Sequence, residues 1–191
     1  WGNATFWTDE EARLAFNEAL REWNLWTGRW RRTVTLSTVG GQYEYALGST
    51  LTYGMAVQWT NVPLLLASTL DLDLGRPSWR TETILSGGEV PPALTIWAPL
   101  SLQQIVIWPA PSVNGTNDLT VEGVSDTPIL TEDADTVDLG DESIDVLLDY
   151  ALHVLSFKQG GPMWQATVPY WQALLEAAAE ENGRLKANQK F

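Results

Sequence analysis

The residues of this chain that could carry chemistry are few, and their spacing serves it poorly. His153 is the only histidine. It sits inside a strongly apolar helical pattern, where a structural ring bonded to a neighbour is the simpler reading than a general base. The serines lack a glycine-flanked nucleophile elbow, and one histidine leaves little choice of base. With no cysteine there is no disulfide, zinc thiolate site or iron–sulfur cluster. Leu85-Ser86-Gly87-Gly88 is not followed by the Lys and Ser or Thr of a phosphate-binding loop. Asp71 and Asp73 would make a glycosidase pair only across a cleft of suitable width. The acidic stretch of Glu132, Asp133, Asp135, Asp138, Asp141, Glu142, Asp145 and Asp149 offers oxygen ligands for a hard cation. It lacks the alternate ligand positions, central glycine and final glutamate of a calcium loop. The expectation is a protein with no cofactor and no metal, and not an enzyme.

Tryptophan is the residue in excess, with 11 in 191 positions. Trp59, Trp79, Trp97 and Trp108 fall in a strand-like middle, where they suit either a flat platform for sugar rings or core and interface anchors. A carbohydrate-binding or tail-fibre-like module is the alternative that the first option supports. Core and subunit-interface anchors are the reading preferred here, with the basic Arg29, Arg31 and Arg32 as further interface candidates. Trp23, Trp26, Trp164 and Trp171 lie on helical stripes, where burial is expected.

The elements that must position these residues are legible in part. Thr8 with Glu11 forms a capping box, and Asp9 and Glu10 favour the positive end of a helix dipole. Ala12, Phe16, Ala19, Trp23 and Trp26 then recur at spacings of four and three, with Leu20 beside them, until Gly28 stops the helix. From Arg31 the period becomes that of a strand. Gly40-Gly41 signals a hairpin turn, with Tyr43, Tyr45 and Leu47 on one face of the returning strand. Leu51 to Trp59 is a strand interrupted near Gly54. The Leu-rich run from Pro63 to Gly75 fits a helical turn or a buried strand, ending in a loop at Asp71 to Asp73. Segments 94–97 and 105–108 each end in Ile-Trp and form an antiparallel hairpin, stopped by Pro109 and Pro111. Leu119 to Val124 is one more strand, and the acidic stretch from Thr131 is loop.

The C-terminal part is helical. Ile144, Leu147, Leu148, Ala151, Leu152, Val154 and Leu155 form a broad stripe closed by Gly160-Gly161. A last helix begins near Pro162 or Pro169 and runs to Ala187, with Trp171, Leu174, Leu175 and Ala178 inward. The expected fold is α+β: a three-helix bundle, one helix N-terminal and two C-terminal, with a central antiparallel β insertion. In residue terms this is one domain over 1–191. The bundle spans 8–28 and 141–187, the β-rich insertion 31–130 and a tail 188–191.

Length, 45% hydrophobic and 18% charged residues fit a globular chain with a real core. No apolar run approaches the roughly 18 residues of a membrane span. The start at Trp1 carries neither an initiator Met nor a signal pattern, so a trimmed leader is expected. Asn3-Ala4-Thr5 and Asn114-Gly115-Thr116 read as chance sequons. The formal charge of −13 argues against an extended DNA-gripping surface, which needs Lys and Arg to displace counterions. Each charged cluster reads most simply as a solvated face. Clusters of opposite sign on one chain also suit head-to-tail contact between copies.

Several short motifs resemble the head-to-tail adaptor, or connector, proteins of tailed bacteriophages. They begin with Thr8-Asp9-Glu10-Glu11 leading into Phe16-Asn17-Glu18-Ala19-Leu20 and Trp23. Tyr43-x-Tyr45-x-Leu47 follows a glycine turn, and Leu70-Asp71-Leu72-Asp73 precedes Trp79. Ile105-x-Ile107 then runs into Pro109-x-Pro111, and a final helix pair closes on Asn182-x-Arg184-Leu185. Gly48 stands where that pattern has proline. The resemblance implies a structural virion protein forming a dodecameric ring beneath the portal vertex. Its partners would be the portal protein, the next neck or tail protein, and DNA passing through the lumen without sequence-specific binding. It also implies a terminal segment that enters the portal, for which Arg184, Leu185, Lys186, Lys190 and Phe191 are the candidates. Asp133, Asp135, Asp138, Asp141 and Glu142 become candidates for a lumen lining or an inter-subunit contact.

Overall fold

The computed structural model describes residues 6–84, 93–132 and 134–188; the side chains of 141, 142 and 184–188 lie outside that description. The chain divides into two compact units, one of residues 1–29 with 127–191 and one of residues 30–126.

The first unit is helical. Helix α1 spans Asp9–Thr27 and opens with the full capping box, in which Thr8 accepts from the Glu11 backbone and Glu11 accepts from Thr8. It ends at Gly28, whose left-handed φ of 60° lets its N–H reach the Asn24 carbonyl at 2.8 Å. Helix α3 spans Asp141–Ser156, a short 3-10 turn follows over Phe157–Gln159, and helix α4 spans Gly161–Asn188. Helices α1, α3 and α4 all pack on one another. Their contact is built from alanines (Ala15, Ala19, Ala151, Ala178), which let the helices approach, and from Leu20, Trp23, Leu147 and Leu174, which fill the space between.

The buried residues of α1 differ in part from those the sequence suggests. They are Ala15, Ala19, Leu20, Trp23, Asn24 and Thr27, while Ala12 is exposed, Phe16 half-buried and Trp26 52% exposed. Two polar residues on or beside that face bond to the segment 127–130. Asn24 donates to Thr127 Oγ1 at 3.0 Å. Asn17 exchanges two hydrogen bonds with the Leu130 backbone, at 2.9 and 2.8 Å, as a strand would. Leu148, Leu152 and Trp171, expected inside, are also exposed. Helix α4 takes the early start, with Pro169 inside it.

The second unit is a sandwich of two four-stranded sheets. Its strands are β1 (Arg31–Leu36), β2 (Glu44–Ala46), β3 (Leu51–Trp59), β4 (Val62–Pro63), β5 (Leu65–Leu66), β6 (Ile96–Ser101), β7 (Gln104–Trp108) and β8 (Leu119–Ser125). One sheet has the order β1-β8-β3-β4 and the other β2-β7-β6-β5, with the β5–β6 pair parallel. A core of Leu51, Val57, Leu119 and Val121 from the first sheet meets Tyr45, Trp97, Ile105 and Ile107 from the second. Helix α2, Thr69–Gly75, covers the outer face of the second sheet. There Leu72 and Trp79 pack on Ala98, Val106 and Trp108.

The fold class is therefore α+β, but the expected three-helix bundle with a single central antiparallel insertion is not what the chain forms. It has four α-helices, one of them within the β-rich unit, and two separate sheets containing a parallel pair. The Gly40-Gly41 turn does not close a hairpin either. Strand β1 pairs with β8 and β2 pairs with β7, so this turn carries the chain from one sheet to the other. Tyr43 consequently leaves the face of Tyr45 and Leu47 and packs edge-on against Trp79, with ring centres 5.3 Å apart.

The interruption near Gly54 is real. The β3–β8 register shifts between Leu51 and Tyr53 and again between Gly54 and Ala56. Opposite it, a Cβ on Gly123 would stand 2.3 Å from the Tyr53 carbonyl oxygen, so only glycine fits there.

Candidate functional site

Tryptophans in the sandwich unit are anchored by carboxylates. Trp79, in the 3-10 turn Trp79–Thr81, donates its indole N–H to Asp73 Oδ1 at 2.8 Å. Arg80 bonds the same oxygen at 2.6 Å and lies 4.4 Å over the Trp79 ring. Trp108 repeats the plan: its indole donates to Glu82 Oε2 at 2.9 Å, Arg76 bonds that oxygen at 3.0 Å, and the guanidinium lies 5.0 Å over the ring. Trp59 donates to Asp118 Oδ2 at 3.0 Å, beside the Thr38 hydroxyl at 2.6 Å; Asp118 Oδ1 takes the Thr38 N–H at 2.9 Å. Each indole thus keeps a hydrogen-bond partner while its apolar body is buried or half-buried.

The carboxyl groups respond accordingly. Arg80, then Trp79, hold Asp73 below the usual carboxylate range. Glu82 is lowered by Ser78, with Trp108 and Arg76 adding to it. Burial pulls Asp118 upward, but the bonds from Thr38 and Trp59 outweigh it and leave it low. These acids are ionised and fully engaged, which suits bracing and not proton transfer. Asp71, the other half of the glycosidase pair, caps α2 through Ser68.

Three of the four middle tryptophans sit in the core of the unit. Trp79 is 1% exposed, Trp97 3% and Trp108 6%. Trp59 is half-buried. Arg32 is exposed on β1, while Arg31 lies 3.6 Å from Glu122 on β8. Arg29 belongs to the helical unit, where it reaches the Asp138 carbonyl at 3.4 Å.

The acidic stretch is partly structural. Asp135 Oδ2 accepts from the Thr131 N–H at 2.6 Å and from the Glu132 N–H at 2.9 Å, and these backbone bonds hold its carboxyl low. Asp138 is exposed. Asp141 and Glu142 open helix α3, but their side chains, like those of Arg184, Leu185 and Lys186 near the end of α4, lie outside the described residues. So do Asp133, Lys190 and Phe191. Among the described residues no group of three His, Asp or Glu could hold a metal ion, and no helix is long and apolar enough to cross a membrane.

What sequence reasoning missed is the exposed aromatic surface of the helical unit. Phe157 is 73% exposed, and Phe6, Trp26 and Trp171 are also exposed. An open apolar hollow of about 260 Å3 lies beside Phe157, walled by Trp7, Leu14, Val154 and Leu155, with the Lys158–Glu11 ion pair at its rim. A helical wheel places Trp26 between Ala15 and Ala19, so its exposure is not legible from the periodicity of α1. Phe157 follows the end of α3, where no periodicity speaks.

The family model described as SU10 adaptor protein matches residues 1–190, and the chain belongs to that family of phage head–tail adaptors. No curated protein matches the chain. The family makes it a phage adaptor and a component of the virion that contacts other virion proteins.

Proposed function

We propose that this adaptor forms a closed homo-oligomeric ring, dodecameric as in the proteins it resembles, that joins the portal to the next neck or tail component and extends the DNA channel. The family match over nearly the whole chain carries this reading. Two properties of the chain support it. The net charge of −13 lets a channel repel the phosphate backbone, so that DNA slides without sticking. Exposed Phe6, Trp26, Phe157 and Trp171 give the helical unit the aromatic anchors that protein interfaces favour.

Within that reading, Arg184, Leu185, Lys186, Lys190 and Phe191 form the portal-docking arm. Arg29, Arg31, Arg32 and Trp59 are the remaining candidates for a subunit or tail contact. Asp133, Asp138, Asp141 and Glu142 line the lumen or meet a neighbour, with Asp135 holding their loop. Electron microscopy of the chain mixed with its portal tests the proposal. A symmetric ring seated on the portal is expected, and removal of residues 184–191 abolishes seating. A monodisperse monomer under all mixing conditions overturns the ring, and undiminished portal binding by the truncated chain overturns the arm.

A further inference from the structure

The single histidine has a buried environment that the adaptor role does not use. His153 on α3 is 2% exposed, and its Nδ1 lies 2.8 Å from the Thr167 hydroxyl on α4. Its ring stacks on Trp164 of α4, with centres 3.9 Å apart and planes at 27°. Ser156 closes the cluster, at 2.8 Å from Thr167 Oγ1 and donating to the His153 carbonyl at 2.6 Å. Thr167 in turn reaches the Met163 carbonyl at 3.0 Å and the Trp164 carbonyl at 3.2 Å. One ring and two hydroxyls therefore tie α3 to the first half of α4.

We infer that this junction is an acid-sensitive latch: the neutral His153 ring holds the α3–α4 hairpin closed, and its protonation loosens it. In the neutral state Nδ1 and the Thr167 hydroxyl share one proton, and either can supply it. Protonation obliges Nδ1 to donate and adds a second N–H at Nε2, while the Thr167 and Ser156 hydroxyls keep the backbone carbonyls they already reach. It also places a full charge where water does not reach. On α3 the Tyr150 ring centre is 6.1 Å away and Asp149 stands one turn before His153; Glu18 and Glu22 of α1 act on Tyr150. Helix α4 presents Trp164 and Thr167, and Lys158 lies in the following 3-10 turn, bonded to Glu11. Among the described residues no carboxylate bonds to the ring to offset the charge. The face of Trp164 offers a cation–π contact, which returns part of the cost. Burial pushes His153 below the usual histidine range. The unfolded chain then binds the extra proton more readily than the folded one, so stability falls as pH drops below about 6.5.

Because the chain has one histidine, its imidazole signal in an NMR titration of the full chain needs no assignment by mutation. The expected midpoint lies below the usual histidine range, with amide exchange of residues 150–170 rising, after correction for intrinsic rate, as pH falls through it. A midpoint at or above 6.5 overturns the latch, and so does a normal acid titration without faster exchange. His153→Gln, which keeps a polar side chain but cannot titrate, is expected to lose at least half of the drop in thermal midpoint between pH 7.5 and 5.5. An unchanged drop overturns the proposal. If that variant fails to fold, the wild-type titration and exchange data decide alone.

Discussion

The two units of this adaptor use tryptophan in opposite ways. In the sandwich, Trp79, Trp97 and Trp108 are sealed within the unit, and Asp73, Glu82 and Asp118 take the indole hydrogens of Trp79, Trp108 and Trp59. In the helical unit the core rests on alanine and leucine around Trp23, while Trp26 and Trp171 stand exposed. A sheet sandwich leaves a wide slab between its layers and needs bulky residues to fill it. Three helices meeting through alanines leave little room, so further aromatics go to the surface. Aromatic content therefore says nothing about contact until burial is known.

Truncation is the most direct way to break this comparison. Trp97→Ala is expected to cost about 3–5 kcal/mol in urea unfolding followed by the sheet signal. Trp26→Ala is expected to stay within about 0.5 kcal/mol, because its ring is half in solvent already. Equal losses at the two positions would erase the distinction.

Asp118→Ala is expected to cost about 1–3 kcal/mol, because it strips the acceptor from the Thr38 backbone, the Thr38 hydroxyl and the Trp59 indole together. The pH dependence sharpens the test. A carboxyl held below its ordinary value contributes fully above about pH 3.9 and loses that contribution as pH falls toward the folded value. Acid unfolding curves of the variant should therefore be flatter than wild type as pH falls below the ordinary carboxylate value. The opposite slope would mean that burial, not hydrogen bonding, sets the state of Asp118.

A smaller loss than that of Asp118→Ala is expected at the cap of the helical unit. Thr8→Ala removes the first cap of α1 and is expected to cost about 1 kcal/mol, read from the thermal midpoint of the helix signal. A loss as large as that of Trp97→Ala would show that the unit depends on its ends more than on its alanine-lined core.

Local signals in this chain were legible because they involve neighbours in sequence. The capping box at Thr8 and Glu11, the stop at Gly28 and the strand from Leu51 to Trp59 all follow from contacts within a few residues. So did the antiparallel hairpin of β6 and β7. Helix α2 was only half legible, since seven residues with one buried leucine show too short a stripe to declare a helix. Among the candidate site residues, the positions of the arginines and acids could be named but not their engagement. That Asp135 locks a loop, or that Arg31 lies across from Glu122, depends on strand pairing and loop closure.

By itself, the sequence determined the α+β class, the absence of cysteine chemistry, the acidic balance and the run of helix and strand along the chain. Motif resemblance reached the adaptor family. Tertiary structure alone decided that the strands divide into two sheets, that β1 and β2 part company at Gly40-Gly41, and which tryptophans are hidden. The physical reason is range. Capping and periodicity are settled within a turn or a strand, whereas the partner of an edge and the burial of a ring depend on segments that can lie more than a hundred residues apart, as in the Asn17–Leu130 and Asn24–Thr127 pairs.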